Sequence, residues 1–223
     1  MIPAYAYQIQ LPEGMEPGMK YPTLFTLHGK GSNEGNMIGL TSPLEDRFIT
    51  IHIRGDLLLG AGYQYYELKS LGNPLRESFD RSVEQLEAFI AYASEQYPVD
   101  TERRYLLGFS QGAILSLTLA HTMGSALRGI VALNGYIPQF VKTEYNVQSM
   151  KDVSVFVSHG EFDSVFPIRI GHETAQYMGS VTSRLTFKTY PADHGVTPEN
   201  MADYVSWLKQ DALTKADEGV KEQ

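Results

Sequence analysis

Ser110 stands in the run Gly108-Phe109-Ser110-Gln111-Gly112, with a glycine two positions to either side. That spacing suits a nucleophile on a sharp strand-to-helix turn, where the strained backbone leaves no room for side chains two residues away. The flanking sequence fits: Tyr105–Phe109 reads as a short apolar strand, and Gln111–Met123 as an almost wholly apolar, hence buried, helix. The N–H groups at the start of such a helix point outward and favour developing negative charge. The chemistry implied is attack by a serine oxygen. A serine hydroxyl is a weak nucleophile, so it needs a base, and the base needs an acid to orient it.

On hydrolases built around this turn, the acid and then the histidine follow on loops after later strands. Val153–Ser158 reads as such a strand and leads into His159-Gly160-Glu161-Phe162-Asp163. A helix at Ile168–Met178 and a strand at Leu185–Tyr190 then lead to Ala192-Asp193-His194-Gly195. Of the six histidines, His194 lies where the base belongs, after the last strand and before the last helix. His52 falls inside a strand and His121 inside the buried helix, which makes both packing residues. His172 sits on a helix at the surface. His28 and His159 each precede a glycine at a strand end, where a histidine more often holds a loop by hydrogen bonds than reacts. Asp163 leads as the orienting acid. Glu161, nearer the strand end, remains its competitor, and Asp193 is disfavoured because adjacent side chains on a loop rarely face each other.

Acyl transfer also needs fixed donors for the oxyanion of the tetrahedral intermediate. The N–H of Gln111, next to the nucleophile, supplies one. The loop after the strand at Tyr21–Leu27 runs His28-Gly29-Lys30-Gly31, and its glycines allow a close backbone approach that places a second donor at the Lys30 N–H. For the acyl group, Tyr63, Tyr65 and Tyr66 in an irregular loop, together with Phe140, Val165 and Phe166 on loops near the expected carboxyl ends of the strands, supply apolar surface. The tyrosines could equally serve only to pack their loop.

The elements that position these residues alternate. Strands are read at Tyr5–Leu11, Tyr21–Leu27 and Phe48–Ile53. After an irregular, glycine- and tyrosine-rich stretch from Gly60 to Pro74, an amphipathic helix opens at Ser78 and closes at Pro98. The second half repeats strand and helix, with a further strand at Gly129–Leu133 and a last helix capped by Thr197-Pro198. Such alternation predicts an α/β fold: a mostly parallel central sheet with helices on both faces, in one domain over residues 1–214, with a polar, fraying tail at 215–223. The 223 residues leave little for a lid domain. They contain no cysteine, which excludes a cysteine nucleophile, disulfides and thiolate metal sites, and fits a cytoplasmic location. The net charge of −8 is spread evenly, with 9 basic and 14 acidic groups in residues 1–111 and 9 and 12 in the rest. No basic stripe offers itself to nucleic acid, and no apolar run approaches a membrane span.

Taken together, Leu27-His28-Gly29-Lys30-Gly31, Gly108-Phe109-Ser110-Gln111-Gly112, His159-Gly160 with Asp163 and Pro167, and Asp193-His194-Gly195 resemble the phospholipase/carboxylesterase family of α/β-hydrolases, which includes acyl-protein thioesterases. The resemblance spans about Tyr21 to Leu208. It implies a compact, cofactor-free serine esterase acting on small to medium acyl esters, often as a homodimer, with Ser110, Asp163 and His194 as triad and Lys30 and Gln111 as oxyanion donors. The sequence departs from many members in two places. Ala113 stands where a further glycine often follows Gly112, and the sole tryptophan is Trp207 on the last helix rather than beside the pocket. Two rival readings remain: a thioesterase or lysophospholipase on longer acyl chains, and a non-catalytic binding module of the same fold.

Overall fold

The computed structural model describes residues 5–213; the tail expected at 215–223 lies outside them. Seven strands make one sheet: β1 (Tyr7–Gln10), β2 (Tyr21–Leu27), β3 (Ile49–Ile53), β8 (Val99–Phe109), β9 (Gly129–Leu133), β10 (Ser154–Gly160) and β11 (Leu185–Tyr190). Four short strands lie outside this sheet, β4 (Leu57–Leu59), β5 (Gly62–Gln64), β6 (Leu68–Ser70) and β7 (Asn73–Pro74). The spatial order is β1-β3-β2-β8-β9-β10-β11. Only β1 runs antiparallel, against β3; the other pairings are parallel. Parallel strands need crossovers, and helices provide them: α1 (Gly35–Thr41), α2 (Arg76–Gln96), α3 (Gln111–Met123), α4 (Gln139–Glu144) and α5 (Ile168–Val181), while α6 (Pro198–Leu213) follows the last strand. The mostly parallel sheet with helices on both faces, expected from the alternating pattern, is the one observed.

Alternation along each strand sends side chains to two separate cores. Phe25, Leu27, Leu106, Ile130, Val155 and Val157 face α2, α3 and α5 on one side. Leu24, Tyr105, Leu107, Val131, Leu133 and Phe156 face α1 and α6 on the other. Helix α3 lies over the middle of the sheet and is buried along almost its whole length, which is why it carries no polar face. At the end of the sheet away from Ser110, Asp211 of α6 gathers donors from Tyr105 within β8, from Ser154 at the start of β10, and from Arg128 and Arg184, which immediately precede β9 and β11. Its carboxylate accepts hydrogen bonds from Tyr105 Oη at 2.9 Å, Ser154 Oγ at 2.7 Å, Arg128 Nε at 2.9 Å and Arg184 Nη2 at 2.8 Å. This cluster clamps α6 to the sheet.

Three expectations are corrected. The stretch Gly60–Pro74 is not irregular: β4 pairs with β5 and β6 with β7 as two antiparallel hairpins. Their strands are two or three residues long, too short for a period to show, and left-handed Gly60 and Gly72 make the turns. The helix expected from Ser78 begins at Arg76, and Ser78 Oγ instead accepts the Glu67 N–H at 3.1 Å, tying the second hairpin to α2. Helix α4, six residues long, carries Phe140 on an element that too few residues reveal to pattern analysis.

Candidate active site

Strand β8 ends at Phe109 and α3 begins at Gln111, so Ser110 alone makes the turn, with φ 52° and ψ −112°. The two glycines are there because nothing larger fits. A Cβ on Gly108 would stand 2.1 Å from the Gly112 carbonyl oxygen, and one on Gly112 would stand 2.0 Å from the Leu27 oxygen. The strained serine is held from both sides: its N–H donates to the Leu133 carbonyl at 2.9 Å, and its carbonyl accepts from the Ile114 N–H at 3.1 Å.

The loops after β10 and β11 bring two further groups to Ser110. Ser110 Oγ lies 2.8 Å from His194 Nε2, and His194 Nδ1 lies 2.8 Å from Asp163 Oδ2. An ionised carboxylate can only accept, so the imidazole carries its proton on Nδ1 and leaves Nε2 to accept from the serine hydroxyl. The rings of Phe109 and Phe166 flank the imidazole at 5.2 and 5.5 Å between centroids. Asp163 is buried and well supplied with donors. Its Oδ1 accepts the N–H groups of Val165 at 2.8 Å and Phe166 at 2.7 Å, and its Oδ2 accepts Asn134 Nδ2 at 3.0 Å. Burial pushes this carboxyl up. The hydrogen bonds from His194, the Phe166 N–H and Asn134 outweigh burial and hold it below the usual carboxylate range.

The two competing acids point elsewhere. Glu161 is exposed and accepts from Thr189 Oγ1 at 3.0 Å. Asp193 accepts from the Ser164 N–H and hydroxyl, both at 2.8 Å, and from the backbone N–H of His194, which fixes the loop rather than the ring. The remaining histidines make structural bonds. His28 accepts the Gly55 N–H at Nε2, His52 bridges Thr26 and Gln10, and His121 bonds the Leu117 carbonyl. His159 Nε2 donates to the Phe166 carbonyl at 2.7 Å, and His172 is exposed against Phe187.

The loop after β2 approaches Ser110 closely: a Cβ on Gly29 would lie 3.5 Å from Ser110 Cβ. Lys30 sits at its exposed tip, and its neighbours are pinned by the first hairpin. Gly31 N–H donates to the Tyr63 carbonyl and Tyr63 N–H to the Ser32 carbonyl, both at 2.8 Å. Tyr63 is half-buried, with the Arg54 guanidinium 4.5 Å above its ring. Gln111 has a side-chain task that its motif did not reveal. Its Oε1 accepts the Tyr65 N–H and its Nε2 donates to the Tyr66 carbonyl, both at 2.9 Å, so the residue beside Ser110 also anchors the hairpin segment.

Tyr65 and Tyr66 do not present a surface to an acyl group. They are 0% and 1% exposed, Tyr65 donating its hydroxyl to the Ile53 carbonyl at 2.7 Å and Tyr66 packing edge-on to Phe79. Of the apolar residues expected at the pocket, Phe166 packs against His194 itself and half-buried Val165 lies beside it in the chain. Phe140 packs against Phe79 with the Arg76 guanidinium 4.3 Å above it, tied to the core under the hairpins. Two features were missed from sequence: the Gln111 carboxamide and Asn134. A signal for the second existed, since asparagine followed by glycine after a strand is a frequent left-handed turn. Among the described residues no cluster of three or more His, Asp or Glu side chains could hold a metal ion, and no helix is long and apolar enough to cross a membrane.

A family model described as phospholipase/carboxylesterase matches residues 18–211. The chain belongs to the phospholipase/carboxylesterase family. It is thereby a hydrolase of the α/β-hydrolase class. Among curated relatives in this family, acyl-protein thioesterase 1 of Candida albicans is 30% identical over 173 residues, covering 72% of this chain and 73% of that protein. The Mycosarcoma maydis acyl-protein thioesterase 1 is 25% identical over 218 residues, covering 84% and 90%. Among solved structures, the Bacillus cereus carboxylesterase superposes with a TM-score of 0.82 at 19% identity, covering 93% and 95% of the two chains. Zea mays acyl-protein thioesterase 2 gives 0.74 at 21% identity, covering 93% and 99%. At these identities the structural likeness shows the shared fold.

Proposed function

We propose that this family member is a serine carboxylesterase that cleaves small to medium acyl esters through an acyl-enzyme on Ser110. The observation that carries the reading is the continuous chain from Ser110 Oγ through His194 to Asp163, each link at 2.8 Å. In the first half-reaction Ser110 Oγ attacks the ester carbonyl carbon while His194 Nε2 takes its proton. The carbonyl oxygen becomes an oxyanion, held by the N–H groups of Gln111 and Lys30. Collapse expels the alcohol, which takes the proton from His194 and leaves the acyl group on Ser110. Water then attacks the acyl carbon while His194 takes its proton, and collapse releases the carboxylic acid as His194 returns the proton to Ser110 Oγ. Asp163 stays ionised throughout and stabilises the imidazolium. Phe166, Val165 and the exposed Phe162 beside Asp163 supply apolar surface for the acyl chain.

The curated relatives named as acyl-protein thioesterases favour a second reading, thioester cleavage at the same site. Matched oxygen and sulfur esters with acyl chains from acetyl to palmitoyl separate the two. A kcat/KM that peaks at short or medium oxygen esters supports the first, and a peak at long-chain thioesters replaces it with the second. A fluorophosphonate that fails to label Ser110 contradicts both.

A further inference from the structure

We propose that Asn134 is a positioning residue for this reaction, its carboxamide holding the Asp163 carboxylate in the orientation that His194 requires. The inference rests on the serine-hydrolase reading above and extends it to a residue outside the triad.

Asn134 follows β9 directly and is fully buried. Its φ is 54°, and among the described residues only Ser110 shares a left-handed backbone without being glycine. Both such residues therefore touch the same hydrogen-bonded chain. Asparagine tolerates the left-handed region better than most residues with a side chain, so the turn accommodates it. The surroundings here are tight. Asn134 N–H donates to the Ser158 carbonyl at 2.9 Å, and a Cβ on the next residue, Gly135, would stand 2.5 Å from Ala113 Cβ.

Glycine would satisfy that turn with less strain, so the side chain needs a separate reason. Nδ2 donates to Asp163 Oδ2 at 3.0 Å, whereas Oδ1 is buried with no hydrogen-bond partner among the described residues. Turning the amide over would set a carbonyl oxygen against a carboxylate, so the N–H is the group that faces Asp163. The turn tolerates asparagine without requiring it, and the bond to Asp163 is what the side chain adds. Each carboxylate oxygen receives two donors: Val165 and Phe166 N–H at Oδ1, His194 and Asn134 at Oδ2. Without the amide, Oδ2 keeps only His194. His159 Nε2, 3.5 Å away, already donates to Phe166.

The test compares Asn134→Gly, which removes the amide and suits the backbone, with Asn134→Asp, which keeps the size and removes the donor. For each, kcat and KM on p-nitrophenyl butyrate are measured with fluorophosphonate titration of Ser110 and thermal unfolding. Loss of a hydrogen bond to a charged group predicts kcat per titrated serine about 10–100-fold lower in Asn134→Gly, with KM within about twofold. Asn134→Asp, which sets one carboxylate against another, loses at least as much, and it decides the matter if Asn134→Gly does not fold. Wild-type kcat per titrated serine in the variants, with any change confined to the unfolding temperature, overturns the inference and leaves the esterase reading standing. Failure of wild-type Ser110 to titrate overturns both.

Discussion

A serine hydroxyl, an imidazole and a carboxylate acquire different chemistry here because each meets a different partner. Asp163 contacts His194 and Glu161 contacts Thr189, so the two acids separate cleanly by mutation. Asp163→Asn should lower kcat by about 10⁴, as expected for loss of the orienting acid, while Glu161→Gln should stay within about twofold of wild type on the same ester. The reverse order of losses would reassign the acid. The candidate serine and base are legible in sequence because a motif and an order of elements mark them. The candidate acid is legible as Asp163 ahead of Glu161 but not uniquely, since two residues on one loop differ in direction and direction is not written in spacing. Asn134 left a weaker trace, because a single amide meeting a carboxylate 29 residues away has no local pattern.

Elements position these groups through close backbone approach and through polar ties between strands. Gly112 brings α3 onto the Leu27 carbonyl, and a Cβ there would meet that oxygen at 2.0 Å. Gly112→Ala should therefore destabilise the fold by about 3 kcal/mol in urea unfolding, as overpacking against rigid backbone does, and pull the elbow out of register. A variant of unchanged stability would mean that the elbow relaxes freely. Strands β1, β3 and β2 are tied across by His52, whose Nε2 donates to Gln10 Oε1 at 3.1 Å while Nδ1 faces the Thr26 hydroxyl at 2.8 Å, an arrangement of the neutral ring. Burial pushes His52 down to about 4, from about 6.5 in an unfolded chain. As pH falls, the unfolded chain takes up this proton first. The contribution of His52 is thus complete above about 6.5 and lost progressively toward 4. His52→Gln should show a smaller fall in unfolding free energy between pH 7 and pH 4.5 than wild type; an equal fall would locate the acid sensitivity elsewhere. Long strands and helices were readable from their periods, whereas the hairpins β4–β5 and β6–β7 were not, because elements of two or three residues have no period to read.

Across the whole molecule the sheet divides labour between its two ends. The carboxyl ends of β8, β9, β10 and β11 lead into the loops that carry Ser110, Asn134, Asp163 and His194. The opposite end is fastened by Asp211, whose carboxylate serves Tyr105, Ser154, Arg128 and Arg184. Removing one partner from a buried ionic cluster leaves charge uncompensated, so Asp211→Ala should cost about 3–5 kcal/mol in urea unfolding while kcat per titrated serine stays near wild type. A large loss of kcat without loss of stability would show that the two ends are coupled. Every proposed step depends on Ser110 Oγ being the attacking atom, and the most direct measurement is hydrolysis of p-nitrophenyl butyrate by Ser110→Ala, with thermal unfolding as the control for folding. The triad predicts a rate at least about a thousandfold below wild type in a protein that unfolds at nearly the same temperature; turnover at the wild-type rate would contradict it.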